Sequence, residues 1–204
     1  MSEFAVFAEG LSDLASLDRA SHEIKQAAFR AINKVARDSR VQIARKVRNQ
    51  VNLPARFVAP GSKNLYVSRQ ATSGSLSATI TARGRPTSLS RFVRGAPKVG
   101  AVGVHVEVAP GKARFMKRAF LIKLPRGSAS VETKFNSGLA IRLRPGERLS
   151  NKVSARRVSS GLYLLYGPSV DQVFRSRDGT GVATDMIPEI EQDLATEFFR
   201  LLEL

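Results

Sequence analysis

Apolar residues between positions 11 and 50 recur every three to four places: Leu14, Leu17, Ile24, Ala28, Ala31, Ile32, Val35, Ile43 and Val47. That spacing keeps them on one face of an α-helix and predicts a single long helix over this stretch. Ser21 and Ser39 fall in gaps of the same stripe, Ser12 and Asp13 are placed to cap its start, and Pro54 forbids much continuation past Asn52. The opposite face collects Lys25, Arg30, Lys34, Arg37, Arg40, Arg45, Lys46 and Arg48.

After the Pro- and Gly-bearing stretch 53–63 the period drops to two. Leu76, Ala78, Ile80 and Ala82 alternate with Ser77, Thr79, Thr81 and Arg83, the pattern of a half-buried antiparallel strand, and Leu65-Tyr66-Val67 is its partner across a turn at 71–74. Residues 83–95 have no period and read as a loop that buries Leu89 and Phe92. Val104, Val106 and Val108 then share one strand face, with His105 and Glu107 on the solvent side, before Pro110-Gly111 turns the chain. Further apolar strands are expected at 115–123, at 139–144, where Leu139, Ile141 and Leu143 alternate with Arg142 and Arg144, and at 163–166. Residues 145–160 have loop composition.

Gly167-Pro168 turns the chain toward a short helix over 170–177 and a last helix from about Thr184, with Pro188 in its first turn. The buried stripe of that helix is Ile187, Ile190, Leu194, Phe198 and Leu201. The expected fold class is α+β: an antiparallel β-sheet packed against a long N-terminal helix and a C-terminal helix, with extended loops. The chain reads as one domain over 1–204, with a loop or arm region around 124–160.

Charge sharpens this picture. The net charge is +16; residues 1–20 sum to −3, residues 21–160 to +24 and residues 161–204 to −5. A cationic middle between acidic ends points to a polyanion partner or to head-to-tail contact between copies. The densest basic patch is Arg142, Arg144, Arg148, Lys152, Arg156 and Arg157. The Lys and Arg spread over helix, strands and loops, which suits non-specific attraction to phosphate better than base readout from one recognition helix. Tyr66, Phe92 and Phe135 are the candidates for stacking on unpaired bases, and each reads equally as a core residue.

Catalytic signatures are missing from the sequence. Cysteine is absent, so no thiolate metal site, disulfide or cysteine nucleophile exists. There is no phosphate-binding Gly loop, dinucleotide Gly pattern or paired-His metal motif. His105 has no Ser, Asp or second His placed to help it, and reads as a solvent-face residue beside Glu107. The sequence therefore assigns no enzyme activity, no cofactor and no metal. The N-terminus carries acid where a signal peptide carries base, and no stretch approaches the roughly 20 apolar residues of a membrane span, so no membrane partner is expected.

The order of the pieces adds a resemblance that spans nearly the whole chain. A long helix containing Ala31-Ile32-Asn33-Lys34 leads to Thr87-Ser88-Leu89-Ser90-Arg91-Phe92 and then to the strand at 103–108. Ala119-Phe120-Leu121, a basic strand, Gly167-Pro168-Ser169-Val170 and a C-terminal helix complete the series. In this order they resemble the minor tail protein Z family of tailed bacteriophages, the tail-completion proteins of long-tailed phages. This chain has Leu121 where the family usually has Ile, and a plain insertion at 126–138.

The resemblance implies a structural virion protein at the head-tail junction, assembled in the host cytoplasm. It implies a homo-oligomer, a hexameric ring, contacting the tail terminator or tail tube, the head-tail connector or neck proteins, and DNA in the lumen. Under it, Ala119, Phe120, Gly167, Pro168 and Ser169 are scaffold, and the 139–157 basic cluster is DNA-facing or between subunits. The alternative is a non-specific basic nucleic-acid-binding protein.

Overall fold

The long helical stripe and the strands at 65–83 fall into one group of contacts, the later strands into another. In the computed structural model, which describes residues 2–7, 22–95, 97–125, 137–149, 155–175 and 181–202, the chain forms two compact units. The first comprises residues 1–47, 56–84 and 171–204; the second comprises 48–55 and 85–170. The chain is α+β, with antiparallel sheets and long helices near both ends.

The first unit is built on α1, His22–Gln50, whose last residues, from Arg48, group with the second unit. Its apolar stripe is buried as the spacing predicts: Ala28, Ala31, Ile32, Val35, Ile43 and Val47 are all enclosed, and Ser39 with them. Ile24 is exposed, and the stretch before His22, with Ser12, Asp13, Leu14, Leu17 and Ser21, lies outside the described residues. Strands β1, Ser2–Phe7, β2, Leu65–Arg69, and β3, Ser77–Ala82, form an antiparallel sheet in the order β1-β3-β2. The expected alternation holds in β3, where Ala78, Ile80 and Ala82 are fully buried. Each large apolar side chain so enclosed contributes about 1.5–3 kcal/mol. Strand β1, paired from Ser2 opposite Ala82 to Phe7 opposite Ser77, has no counterpart among the elements expected from the sequence.

Arg40 departs from expectation. It is not on the solvent face but only 6% exposed, and its guanidinium donates to the carbonyl oxygens of Leu65, at 3.1 Å, and Val58. Four residues after Ala36 and seven before Val47, it stands inside the apolar stripe. Asn33 ties the same helix to the segment after β2, its amide both donating to and accepting from the backbone of Ala71 at 2.8 Å.

The chain returns to this unit in α2, Val170–Arg175, followed by α3, Val182–Asp185, and α4, Ile187–Leu202. Within α4, Ile190 and Leu194 are buried, Phe198 and Leu201 are half-buried, and Ile187 is exposed. Ion pairs Lys34–Glu197 at 3.6 Å and Lys46–Glu189 at 3.1 Å set α4 antiparallel to α1.

The second unit is a larger antiparallel sheet. Its strands are β4, Thr87–Ser88, β5, Val102–Glu107, β6, Ala113–Lys123, β7, Ser137–Arg142, β8, Ala155–Ser159, and β9, Leu162–Gly167. They run in the order β4-β9-β7-β6-β5, with β8 also on β9. Strand β6 pairs with β5 through its first part and with β7 through 119–123. A 3-10 turn, Leu89–Phe92, buries Phe92 as expected of the aperiodic loop.

Strand β8 lies where the composition predicts loop. It is an edge strand with Arg156, Arg157, Val158 and Ser159 exposed, so it lacks the apolar alternation that reveals a half-buried strand. Residues 126–136 and 150–154 of the expected arm are outside the described residues.

Candidate polyanion-facing surface

The charge is divided between the units with great asymmetry. Residues 48–55 and 85–170 hold 18 Lys and Arg against 3 acids, a net +15, while the remaining residues hold 15 against 14, a net +1. The +16 of the chain is in effect the charge of the sheet-bearing second unit.

On that sheet Arg142 ends β7, Arg144 and Arg148 follow it, Arg156 and Arg157 sit on β8, and all five are exposed. Lys152 lies outside the described residues. Register sorts the strand-borne arginines. Arg142 is opposite Leu162 and Arg156 is opposite Leu164, so these two share a face; Arg157, opposite Tyr163, is on the other. Arg157 and Arg148 line a groove of about 550 Å³ with Leu143, Glu147, Leu149, Ala155 and Tyr163. The cluster is therefore split between the two faces of one sheet margin.

Its single described acid is already engaged. Glu147 takes two bonds from Arg118 and one from the N–H of Arg144, which hold its carboxyl at a pKa of about 2, against an ordinary 4.5. A phosphate approaching here meets free cations and a carboxylate whose charge is locally balanced.

The residues expected to be scaffold are buried or half-buried. Ala119 is fully buried opposite Ile141, and Phe120, opposite Ala140, is half-buried. Gly167 faces Thr87, and a side chain there would come within 3.0 Å of the Phe92 ring and 3.2 Å of Leu89. Pro168 is half-buried, and Ser169 is fully buried immediately before α2.

Two sequence expectations about this unit change. Glu107 is not on a solvent face: it is 5% exposed, bonded to Arg94 and to the N–H of Gly111 at 2.9 Å, which hold its carboxyl below the usual range. The turn after β5 folds back over it, an effect strand periodicity does not carry. Of the residues that read equally as core or as stacking platforms, Phe92 is buried, as the loop reading expects, Tyr66 is half-buried in the first unit, and Phe135 is outside the described residues. Among the described residues of the second unit the exposed aromatic is Phe115, which the sequence places within a buried apolar strand.

Among the described residues, no group of three His, Cys, Asp or Glu is placed to hold a metal ion, and no helix is long and apolar enough to cross a membrane. Compared with protein-family models, curated proteins and solved structures, the chain matches none.

Proposed function

We propose that this chain is a structural protein whose sheet-bearing unit faces nucleic acid, and that it acts in the virion at the head-tail junction of a long-tailed phage. In this role it completes the tail and joins it to the neck as a ring of six copies around the DNA channel. The observation that carries the nucleic-acid part is the net +15 of the second unit, with Arg142, Arg144, Arg148, Arg156 and Arg157 all exposed on it. Such a surface attracts phosphate without reading bases, which suits DNA that passes through rather than DNA that is recognised. The order of sequence motifs supports the phage part.

The test is to mix the purified chain, at moderate salt, with tails lacking their completion protein and to image the product by electron microscopy. A ring at the tail end that restores head joining is the expected result. A chain that stays monomeric and ignores tails, yet binds any duplex with steep salt dependence, is a basic nucleic-acid-binding protein instead.

A further inference from the structure

We infer that the β5–β6 hairpin is a stacking platform for an unpaired base of single-stranded nucleic acid, with Phe115 as the ring on which the base lies. The inference rests on the reading that the +15 unit faces nucleic acid, and adds to it a recognition of bases freed from a duplex.

Phe115 is 53% exposed although it sits within a strand. Two residues of β5 hold it in position. Gly103, at φ +92, lies under the ring: a Cβ built there would come within 2.8 Å of Phe115 Cζ. His105, directly opposite in the register, holds its ring centroid 4.8 Å from that of Phe115, tilted by 39°. The Gly103 backbone and the His105 imidazole thus both pack against the ring, and about half of the side chain stays accessible. An exposed aromatic held in place loses little freedom when a flat partner settles on it.

The surroundings favour a flat partner that carries negative charge. Lys117, two residues along β6, shares the face of Phe115, while Lys112 lies in the preceding turn and Arg114 on the opposite face of the strand; all three are exposed and none forms an ion pair among the described residues. Glu107, the one acid within β5 or β6, is already bound by Arg94 and the Gly111 N–H. An exposed aromatic with a free cation on its own face and two more at the margin of the hairpin is an arrangement that grips bases by stacking and their backbone by charge. An apolar protein partner alone would leave these cations to be desolvated without a counter-charge.

The chain contains no Trp, so Phe115→Trp introduces a single indole at the platform. Binding is measured at low salt by anisotropy, with labelled oligo-dT and a duplex of matched charge, for the wild type, F115A and F115W. The expected result is that F115A weakens oligo-dT binding about tenfold while duplex binding changes less than about twofold. F115W retains oligo-dT binding, and its fluorescence is quenched by oligo-dT but not by inorganic polyphosphate. Circular dichroism melts check that both variants fold.

Equal oligo-dT affinity for wild type and F115A, or an unquenched indole in the bound state, overturns the platform while leaving the charge-based reading intact. A sedimentation change in F115A with unaltered oligo-dT binding also overturns it and makes the hairpin a protein contact. If the wild type binds neither oligonucleotide, the platform and the nucleic-acid reading fail together.

Discussion

Arg118 grips Glu147 with two parallel hydrogen bonds of 2.9 Å, Nη1 to Oε1 and Nη2 to Oε2. The same guanidinium donates to the carbonyl of Arg142 at 2.7 Å, and the same carboxylate accepts the N–H of Arg144 at 2.7 Å. A bidentate pair of this kind fixes the end of β7 at the point where the arginine cluster begins.

Its pH dependence follows from the depressed carboxyl. Glu147 ionises at about 2 in the folded chain and near the ordinary 4.5 when unfolded, so the folded state prefers the charged form. The stabilisation is complete above the unfolded value and is lost as pH falls from about 4.5 toward about 2. Thermal melts of wild type and Glu147→Gln should differ at neutral pH and converge through that acid window. A gap that persists unchanged at the acid end contradicts the linkage.

Arg40→Met tests the buried guanidinium. The substitution keeps much of the volume but leaves the carbonyls of Val58 and Leu65 without their donor. A loss of about 3 kcal/mol is expected, read from the urea unfolding midpoint. Arg37→Met, three residues earlier and exposed, should change stability by less than about 0.5 kcal/mol.

Gly161→Ala tests the turn between β8 and β9. Gly161 has φ +68, and a Cβ there would stand 2.8 Å from the main-chain oxygen of Leu143, so both conformation and space oppose a side chain. The cost should be about 1–3 kcal/mol. Because β8 carries Arg156 and Arg157, polyanion affinity should fall too, with no charge removed; anisotropy and a melt on the same sample measure both.

Removing the charge itself has a different signature. Arg142→Gln with Arg156→Gln, which share a face, should weaken binding equally for unrelated duplex sequences and reduce the slope of log affinity against log salt by about 2. A loss confined to one sequence would make these side chains base readers, contrary to the phosphate-facing role.

How far the sequence reveals all this depends on which forces act locally. The α1 stripe and the β3 alternation are legible because each residue's burial follows from its own position in a period, and Ala28, Val47, Ala78 and Ile80 lie where the period puts them. Arg40 is misread because charge outweighs position when a residue is judged alone, although its spacing from Ala36 and Val47 holds the answer. Edge strand β8 is invisible because exposure on both faces removes the alternation. The sorting of Arg142 and Arg156 from Arg157 depends on strand register, which a list of nearby basic residues does not contain. The packing of Phe115 against Gly103 is a relation between strands, which its place in an apolar run does not carry.

The partition of charge, +15 in one unit and +1 in the other, makes the sheet a spring compressed against its own repulsion. Like charges held together destabilise the compact state, and mobile anions relieve the repulsion. Salt should therefore stiffen the sheet-bearing unit while leaving the helix-bearing one almost indifferent. A nucleic acid laid along the sheet would act in the same sense with greater force, since a ligand bound only by the folded form stabilises it by mass action. The cargo would then be a structural part of its own carrier, and hydrogen exchange should slow in β5 to β9 when it arrives.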